Sequence, residues 1–281
     1  MFGKKIDLVY RNKLIVKTHG SKIYETCCAD SILEKCKCNC PDKKTLVCFV
    51  KENLTSATCV IKASIYASIE KGILELLEPK HQKYIVELVG FSIGITENCL
   101  LIPKAKSDLS NIHRPINKKQ IEYFTSAFEN ILSFLKQNKI TYNDWKPSNW
   151  LVYQESDNEE TYKLTDFGSC LKSDIKVKHP NNINYAFCSP FLMNTHENCE
   201  IVPHHSDDII GVAYLFLWFL GYDVPWIKLT PVQGKDVYDF LGHVFDLKTC
   251  QNLHCIPFDD FDDLPTLYKQ VLDELYIVKQ L

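Results

Sequence analysis

Asp144, Lys146 and Asn149 fall within one short segment, ITYNDWKPSNWLV, and Asp166-Phe167-Gly168 follows in YKLTDFGSC. Phosphoryl transfer asks a protein for little covalent help. It needs a hydroxyl aimed, a metal ion held and the charge on the phosphate neutralised. Two carboxylates, an amide and a lysine meet those needs. Either segment alone is short enough to arise by chance. In this order, a hairpin's length apart, they reinforce each other.

Such side chains must be held by ordered elements, and the chain offers two kinds. The first hundred residues are rich in runs of strand length: KLIVKTHG, SKIYETCCA, TLVCFVKE, YIVELVGFSI and NCLLIPKA. One helix is expected to interrupt them, from about Ser56 to Glu78. There Val60, Ile61, Ile65, Ile69, Ile73, Leu76 and Leu77 recur at helical spacing before Pro79. Beyond residue 106 the pattern turns helical. Ile116 to Gln137 carries Ile121, Phe124, Phe128, Ile131, Leu132 and Leu135 on one face, and an apolar helix is expected over Asp207 to Gly221. Between these helices two short strands, WLVY and YKLT, flank the polar stretch QESDNEET. The fold class is therefore α+β.

Composition excludes more than it selects. The chain has 281 residues, 46% hydrophobic and 24% charged, which suits an ordinary globular protein. Its net charge of -3 and pI near 6.3 give no nucleic-acid footprint, so no direct nucleic-acid binding is expected. The longest apolar stretch, Ile209 to Tyr222, is shorter than the about 20 residues a membrane span needs, so no membrane association is expected. Thirteen cysteines without a secretory leader point to a reducing compartment, cytoplasmic or nuclear. Cys36, Cys38 and Cys40 do not follow a usual zinc spacing and are read as reduced loop thiols. Arg11 and Arg114 are the only arginines, and this bias towards lysine suggests an AT-rich genome such as a viral one.

The catalytic-loop and Asp-Phe-Gly segments resemble those of the protein kinases. The resemblance implies a single bilobal domain over residues 1–281. It would have a β-rich N-lobe to about 105 with one C-helix, and a mainly helical C-lobe from about 106. It also implies ATP and Mg2+ as cofactors and a protein substrate phosphorylated on Ser or Thr. In that frame Asp144 orients the substrate hydroxyl, Lys146 neutralises the transferring phosphate, and Asn149 and Asp166 hold magnesium. The ATP-positioning lysine should leave a strand and pair with a glutamate on the C-helix. Lys51, ending TLVCFVK, is assigned that role with Glu70 as partner. Lys62, in CVIK, looks more like the family's local sequence. It would lie in the same expected helix as Glu70, only eight residues away, and is the alternative. LLIPKAKSDL and HSDDIIGVAYLFLWFLGYDVPW resemble the hinge and a C-lobe helix of the casein kinase 1 and vaccinia-related branch. That match makes Ile102 the gatekeeper, assigns adenine bonds to the carbonyl of Pro103 and the N–H of Ala105, and makes Asp208, or else Asp207, the brace of the catalytic loop.

Three departures from the family pattern stand out. The glycine-rich phosphate loop is reduced to Gly20, with Ser21 beside it. The residue before Asp144, usually arginine, is Asn143, and Tyr142 takes the preceding place in a packing role. His196 replaces a structural glutamate, and no arginine follows Arg114 to miss it. The intact set at Asp144, Lys146, Asn149 and Asp166 favours an active kinase. The missing glycines favour a pseudokinase that binds or scaffolds. The apolar N-lobe helix could serve an interface, such as a homodimer.

Overall fold

The strand-length runs of the first hundred residues close into an antiparallel barrel. The structure is a computed structural model, and it describes residues 2–17, 21–26, 43–51, 59–93, 98–156, 159–178, 187–189, 192, 200–219 and 221. The barrel strands are β1 (Phe2–Lys17), β2 (Ser21–Thr26), β3 (Lys43–Lys51), β4 (Cys59–Ser64), β5 (Gly90–Ser92) and β6 (Asn98–Pro103). Their order around the barrel is β1-β2-β4-β6-β5-β3, and β3 pairs back onto β1 from Phe2↔Lys51 to Arg11↔Lys43. Closure leaves no unpaired sheet edge. Cys48, Val50, Cys59, Ile61, Val89 and Leu101 form a buried cluster within these strands and the segment leading into β5. Gly90 is needed for that closeness: a Cβ there would meet the Phe49 carbonyl and the Val50 side chain at 2.8 Å.

The helix expected over Ser56 to Glu78 is corrected. Its first part is strand β4, and only Ala67–Leu74 is helical (α1). All six residues of β4 are buried, and a strand buried on both faces reads as a continuous apolar run rather than an alternation. Cys59-Val60-Ile61 is such a run, and its β-branched residues favour extended backbone. At Ser64 the chain turns, its Oγ accepting the Tyr66 N–H at 3.1 Å. The first strand, expected from Lys13, begins at Phe2.

Further along come β7 (Ser107–Asp108), α2 (Lys118–Gln137), β8 (Ile140–Thr141), β9 (Trp150–Ser156), β10 (Glu159–Leu164), β11 (Leu171–Lys172), β12 (Val177–Lys178), β13 (Glu200–Ile201) and α3 (His205–Phe219). The start of α2 is set by a capping box: the Asn117 side chain accepts the Gln120 N–H, and the Gln120 side chain accepts the Asn117 N–H. Its buried face carries Phe124, Phe128, Ile131, Leu132 and Leu135. Phe124 stacks on Phe219 of α3 with centroids 4.6 Å apart, and Phe128 meets Phe216 edge-on. Among the described residues no helix is long and apolar enough to cross a membrane.

The chain divides into two compact units. One holds the described residues up to Asp108 with Trp150–Gly168; the other holds Leu109–Asn149 with the described residues from Ser169 onward. A boundary was expected near 105, with everything after it in the second lobe. The β9–β10 hairpin belongs instead with the first unit, because its backbone partners are there. β9 pairs with β7, the Val86 N–H bonds the Leu164 carbonyl at 2.9 Å, and the Leu164 N–H bonds the Tyr84 carbonyl at 2.8 Å.

Candidate active site

In the first unit the chemistry gathers on a lysine, and it is Lys62. Its Nζ donates to both carboxylate oxygens of Glu70, at 3.0 and 2.8 Å, and to Oδ1 of Asp166 at 2.9 Å. The expected pairing of Lys51 with Glu70 is corrected. Lys51 ends β3, opposite Phe2. Lys62 lies within β4, and Glu70 lies across the turn on α1, so a separation of eight residues spans a strand and a helix. The local sequence CVIK carried the signal, and it lost its weight once the segment was taken as helix. Asp166 arrives from the other direction. Leu164, two residues before it, is hydrogen-bonded to the segment 84–86, and Asp166 sits at φ 64°, a left-handed conformation that aspartate tolerates better than most residues. A Cβ on Gly168 would lie 2.8 Å from the Tyr66 side chain, so the close approach of the two segments needs glycine there.

Lys62 is 3% exposed and Glu70 is 1% exposed, so neither meets water. Burial alone would push the ammonium down, but Glu70 and then Asp166 outweigh it and hold its pKa above the ordinary value. Burial pushes the Glu70 carboxyl up, with Asp166 acting the same way, while Lys62 and the Phe167 N–H pull against that. The lysine stays charged. One ammonium thus faces two carboxyl groups, with Asp166 a third exposed.

In the second unit the chemistry gathers on Asp144. Its Oδ2 accepts Lys146 Nζ at 2.6 Å and Asn149 Nδ2 at 2.8 Å. The Asn149 amide also donates to the Asp144 carbonyl and to the Tyr142 hydroxyl, both at 2.8 Å. Sequence and structure therefore agree in bringing Asp144, Lys146 and Asn149 together. Asn143 stands at φ 62°, and asparagine is among the residues that visit that region most readily. Its Nδ2 donates to the Thr141 hydroxyl at 2.8 Å.

Asp208, rather than Asp207, braces this loop. The fully buried Asp208 carboxylate accepts the Tyr142 N–H at 2.9 Å, the Asn143 N–H at 3.1 Å and the Trp145 indole N–H at 2.7 Å. Burial pushes its carboxyl up to about 7, and those three donors pull against that. Asp207 is occupied elsewhere, accepting the Ser189 hydroxyl at 2.5 Å and the His204 N–H at 2.8 Å. Trp145 is a residue the sequence reading missed. It lies 63 positions from Asp208, and no local pattern links them.

The remaining expected site residues are placed as follows. Ile102 is buried in β6, opposite Val60 of β4. Ala105 follows β6 and is partly exposed. The Pro103 carbonyl already accepts the Tyr153 hydroxyl at 3.2 Å. Ser21 opens β2, in register with Ser64. Gly20, His196 and the Cys36, Cys38, Cys40 group lie outside the described residues. Tyr142, Phe167 and Leu74 are each buried, and the Tyr142 ring meets Trp145 with centroids 4.9 Å apart.

No family model matches the chain. Curated relatives do. The chain is 24% identical over 225 residues to the mitogen-activated protein kinase hog1 of Botryotinia fuckeliana, covering 76% of this chain and 58% of that protein. It is 25% identical over 225 residues to HOG1 of Chaetomium globosum and 24% identical to hog-1 of Neurospora crassa, each covering 76% of this chain and 57% of the relative. The chain thus spans a little over half the length of the curated relatives it matches. The similarity supports a place in the protein kinase superfamily.

Proposed function

We propose that this chain is an ATP-dependent serine/threonine protein kinase with a bilobal kinase fold. The observation that carries the reading is Lys62, buried and bonded at once to Glu70 and to Asp166, a residue 104 positions away. A buried ammonium facing two carboxylates is costly to assemble, and its usefulness lies in gripping phosphate oxygens beside a metal site. In this reading Lys62 takes the nucleotide-positioning role expected of Lys51, and Glu70 fixes it. Ile102, the Pro103 carbonyl and the Ala105 N–H form the adenine side, with Gly20 and Ser21 near the phosphates.

Asn149 and Asp166 are the residues assigned to Mg2+. The donor chemistry fits. Asn149 spends its Nδ2 on Asp144 and Tyr142, which leaves its carbonyl oxygen as the ligand atom, and Asp166 offers a partly exposed carboxyl group. Magnesium commonly takes its remaining ligands from phosphates and water. When bound, magnesium neutralises phosphate charge. Asp144 aims the substrate hydroxyl and takes its proton as the new O–P bond forms and the γ-phosphoryl group leaves ADP. Lys146, bonded to Asp144, offsets charge on the phosphoryl oxygens. The resemblance of the hinge and α3 sequences is what supports reading the chain as a member of the casein kinase 1 and vaccinia-related branch. The lysine bias fits a viral source acting in host cytoplasm or nucleus.

The reading is tested by phosphate transfer from labelled ATP, with magnesium, to generic acidic and basic proteins, comparing wild type with Asp144→Asn. Transfer that vanishes in the variant supports it. A folded wild type that binds ATP and transfers nothing overturns it in favour of a pseudokinase, the outcome the missing glycines would favour.

A further inference from the structure

The loop that carries Asp144 is braced by a group that neither the motif nor the relatives' names assign. We propose that Trp145 is the positioning residue of this loop, its indole N–H pinning Asp208 so that the backbone of Tyr142 and Asn143 holds Asp144 in place. The inference rests on the kinase reading above.

Three independent observations converge on the indole. Its N–H donates to Asp208 Oδ1 at 2.7 Å, the shortest of the bonds this carboxylate receives. Its ring is held by the Tyr142 ring at 4.9 Å and the Phe128 ring at 6.2 Å, both edge-on, and Trp145 is 1% exposed. Gly211, one turn along α3 from Asp208, leaves room for it: a Cβ there would stand 2.5 Å from the indole Cδ1 and 2.9 Å from the Phe187 carbonyl. The helix approaches as closely as it does because residue 211 has no side chain. A tryptophan that merely filled space would not need the aimed N–H.

The same carboxylate oxygen serves the indole and the Tyr142 and Asn143 N–H groups. A carboxylate with no ammonium or guanidinium partner among the described residues depends on such dipoles to stay ionised. The titratable groups on the surrounding elements are His205, Asp207 and Tyr214 on its own helix, Tyr142, Asp144 and Lys146 on the loop, and Cys188 in the segment 187–189. Of these only Asp207 shifts it, upward, in the same direction as burial. Deleting the indole N–H therefore favours protonation of Asp208. The acid limb of turnover is then expected to move to higher pH.

The experiment compares wild type, Trp145→Phe and Gly211→Ala in kcat, KM for ATP and the pH profile of kcat. Both variants are expected to lose about tenfold to a hundredfold in kcat, the size of a hydrogen bond to a charged group, with KM for ATP little changed. Trp145→Phe also shifts the acid limb upward. A Trp145→Phe enzyme with kcat within twofold of wild type and an unmoved acid limb overturns the proposal. If that variant fails to fold, replacement of Trp145 by benzothienylalanine keeps the shape and removes only the N–H. A fall in kcat then supports the role, and unchanged kcat overturns it. A wild type that transfers no phosphate is a failure of the kinase reading instead. In that case the Trp145 indole proton resonance decides: it should titrate with Asp208 and move on Asp208→Asn, and a resonance indifferent to both overturns the brace.

Discussion

In the first unit a buried carboxylate, Glu70, faces an ammonium; in the second a buried carboxylate, Asp208, is held, among the described residues, by N–H dipoles. Both solutions satisfy a charge that burial penalises. They differ in what they tolerate. The Lys62 cluster balances charge with charge, so its members are not separable: removing the ammonium strands a carboxylate with no route to water. The Asp208 web balances charge with several weak partners, so losing one donor weakens it by degrees and leaves it open to protonation near neutral pH. Each suits its assigned task. Gripping nucleotide phosphates needs a fixed positive charge, whereas holding a loop at one geometry needs many directional bonds.

The sharpest way to break this contrast is Lys62→Met. It leaves Glu70 buried and unpaired, and the expected loss is about 3–5 kcal/mol of stability together with nearly all activity. Chemical denaturation and the transfer assay check it. Lys51→Met should cost far less, and the reverse order would return the nucleotide role to Lys51. The double variant Lys62→Met/Glu70→Leu should recover much of the stability, though not the activity, because the whole pair has been replaced by apolar groups.

Asp144→Asn comes next. Turnover should fall by about 10²–10⁴ while ATP affinity, measured by calorimetry, stays nearly constant. A large loss of affinity would contradict the division of labour.

A pH series sharpens the contrast further. The Asp208 carboxyl, raised to about 7 in the folded chain, binds a proton on acidification more readily than an unfolded aspartate with pKa about 3.9. For this group the folded state gains relative stability as pH falls from 7 towards 4, yet it loses the ionised brace. The expected result is kcat falling below pH 7 while the melting temperature does not fall in step. Lys62 stays charged throughout that range, so ADP affinity relative to adenosine, corrected for the titration of the phosphate itself, should remain flat.

The smallest effect is expected at Tyr142→Phe, which removes the hydroxyl that accepts the Asn149 amide. About 1 kcal/mol, or some fivefold in kcat, is the expected cost, read from steady-state kinetics. Asn149 keeps its two bonds to Asp144.

How far the sequence revealed these clusters follows from the range of the contacts. Asp144, Lys146 and Asn149 were legible because their mutual bonds close within six positions, so spacing alone implies proximity. The buried face of α2 was legible from its periodicity, and α3 from its continuous apolar run. Lys62 was misplaced because the apolar residues from Val60 to Leu77 fit a helical period, with no glycine or proline to mark the turn at Ile65-Tyr66. Short apolar runs do not separate strand from helix by periodicity, and six fully buried residues in β4 erased the alternation that would have. The Trp145–Asp208 bond and the Gly211 clearance were illegible because each joins residues more than 60 positions apart through a packing that exists only once α3 has docked on the loop. The return of the β9–β10 hairpin to the first unit was hidden for the same reason: the bonds of Leu164 to residues 84–86 link distant stretches of chain.

The most direct test of the account is nucleotide binding and phosphate transfer measured side by side for wild type, Lys62→Met and Asp144→Asn, each confirmed folded. The account predicts transfer in wild type alone, with ATP affinity lost in Lys62→Met and kept in Asp144→Asn. ATP bound equally by all three, or transfer surviving in Asp144→Asn, would contradict it.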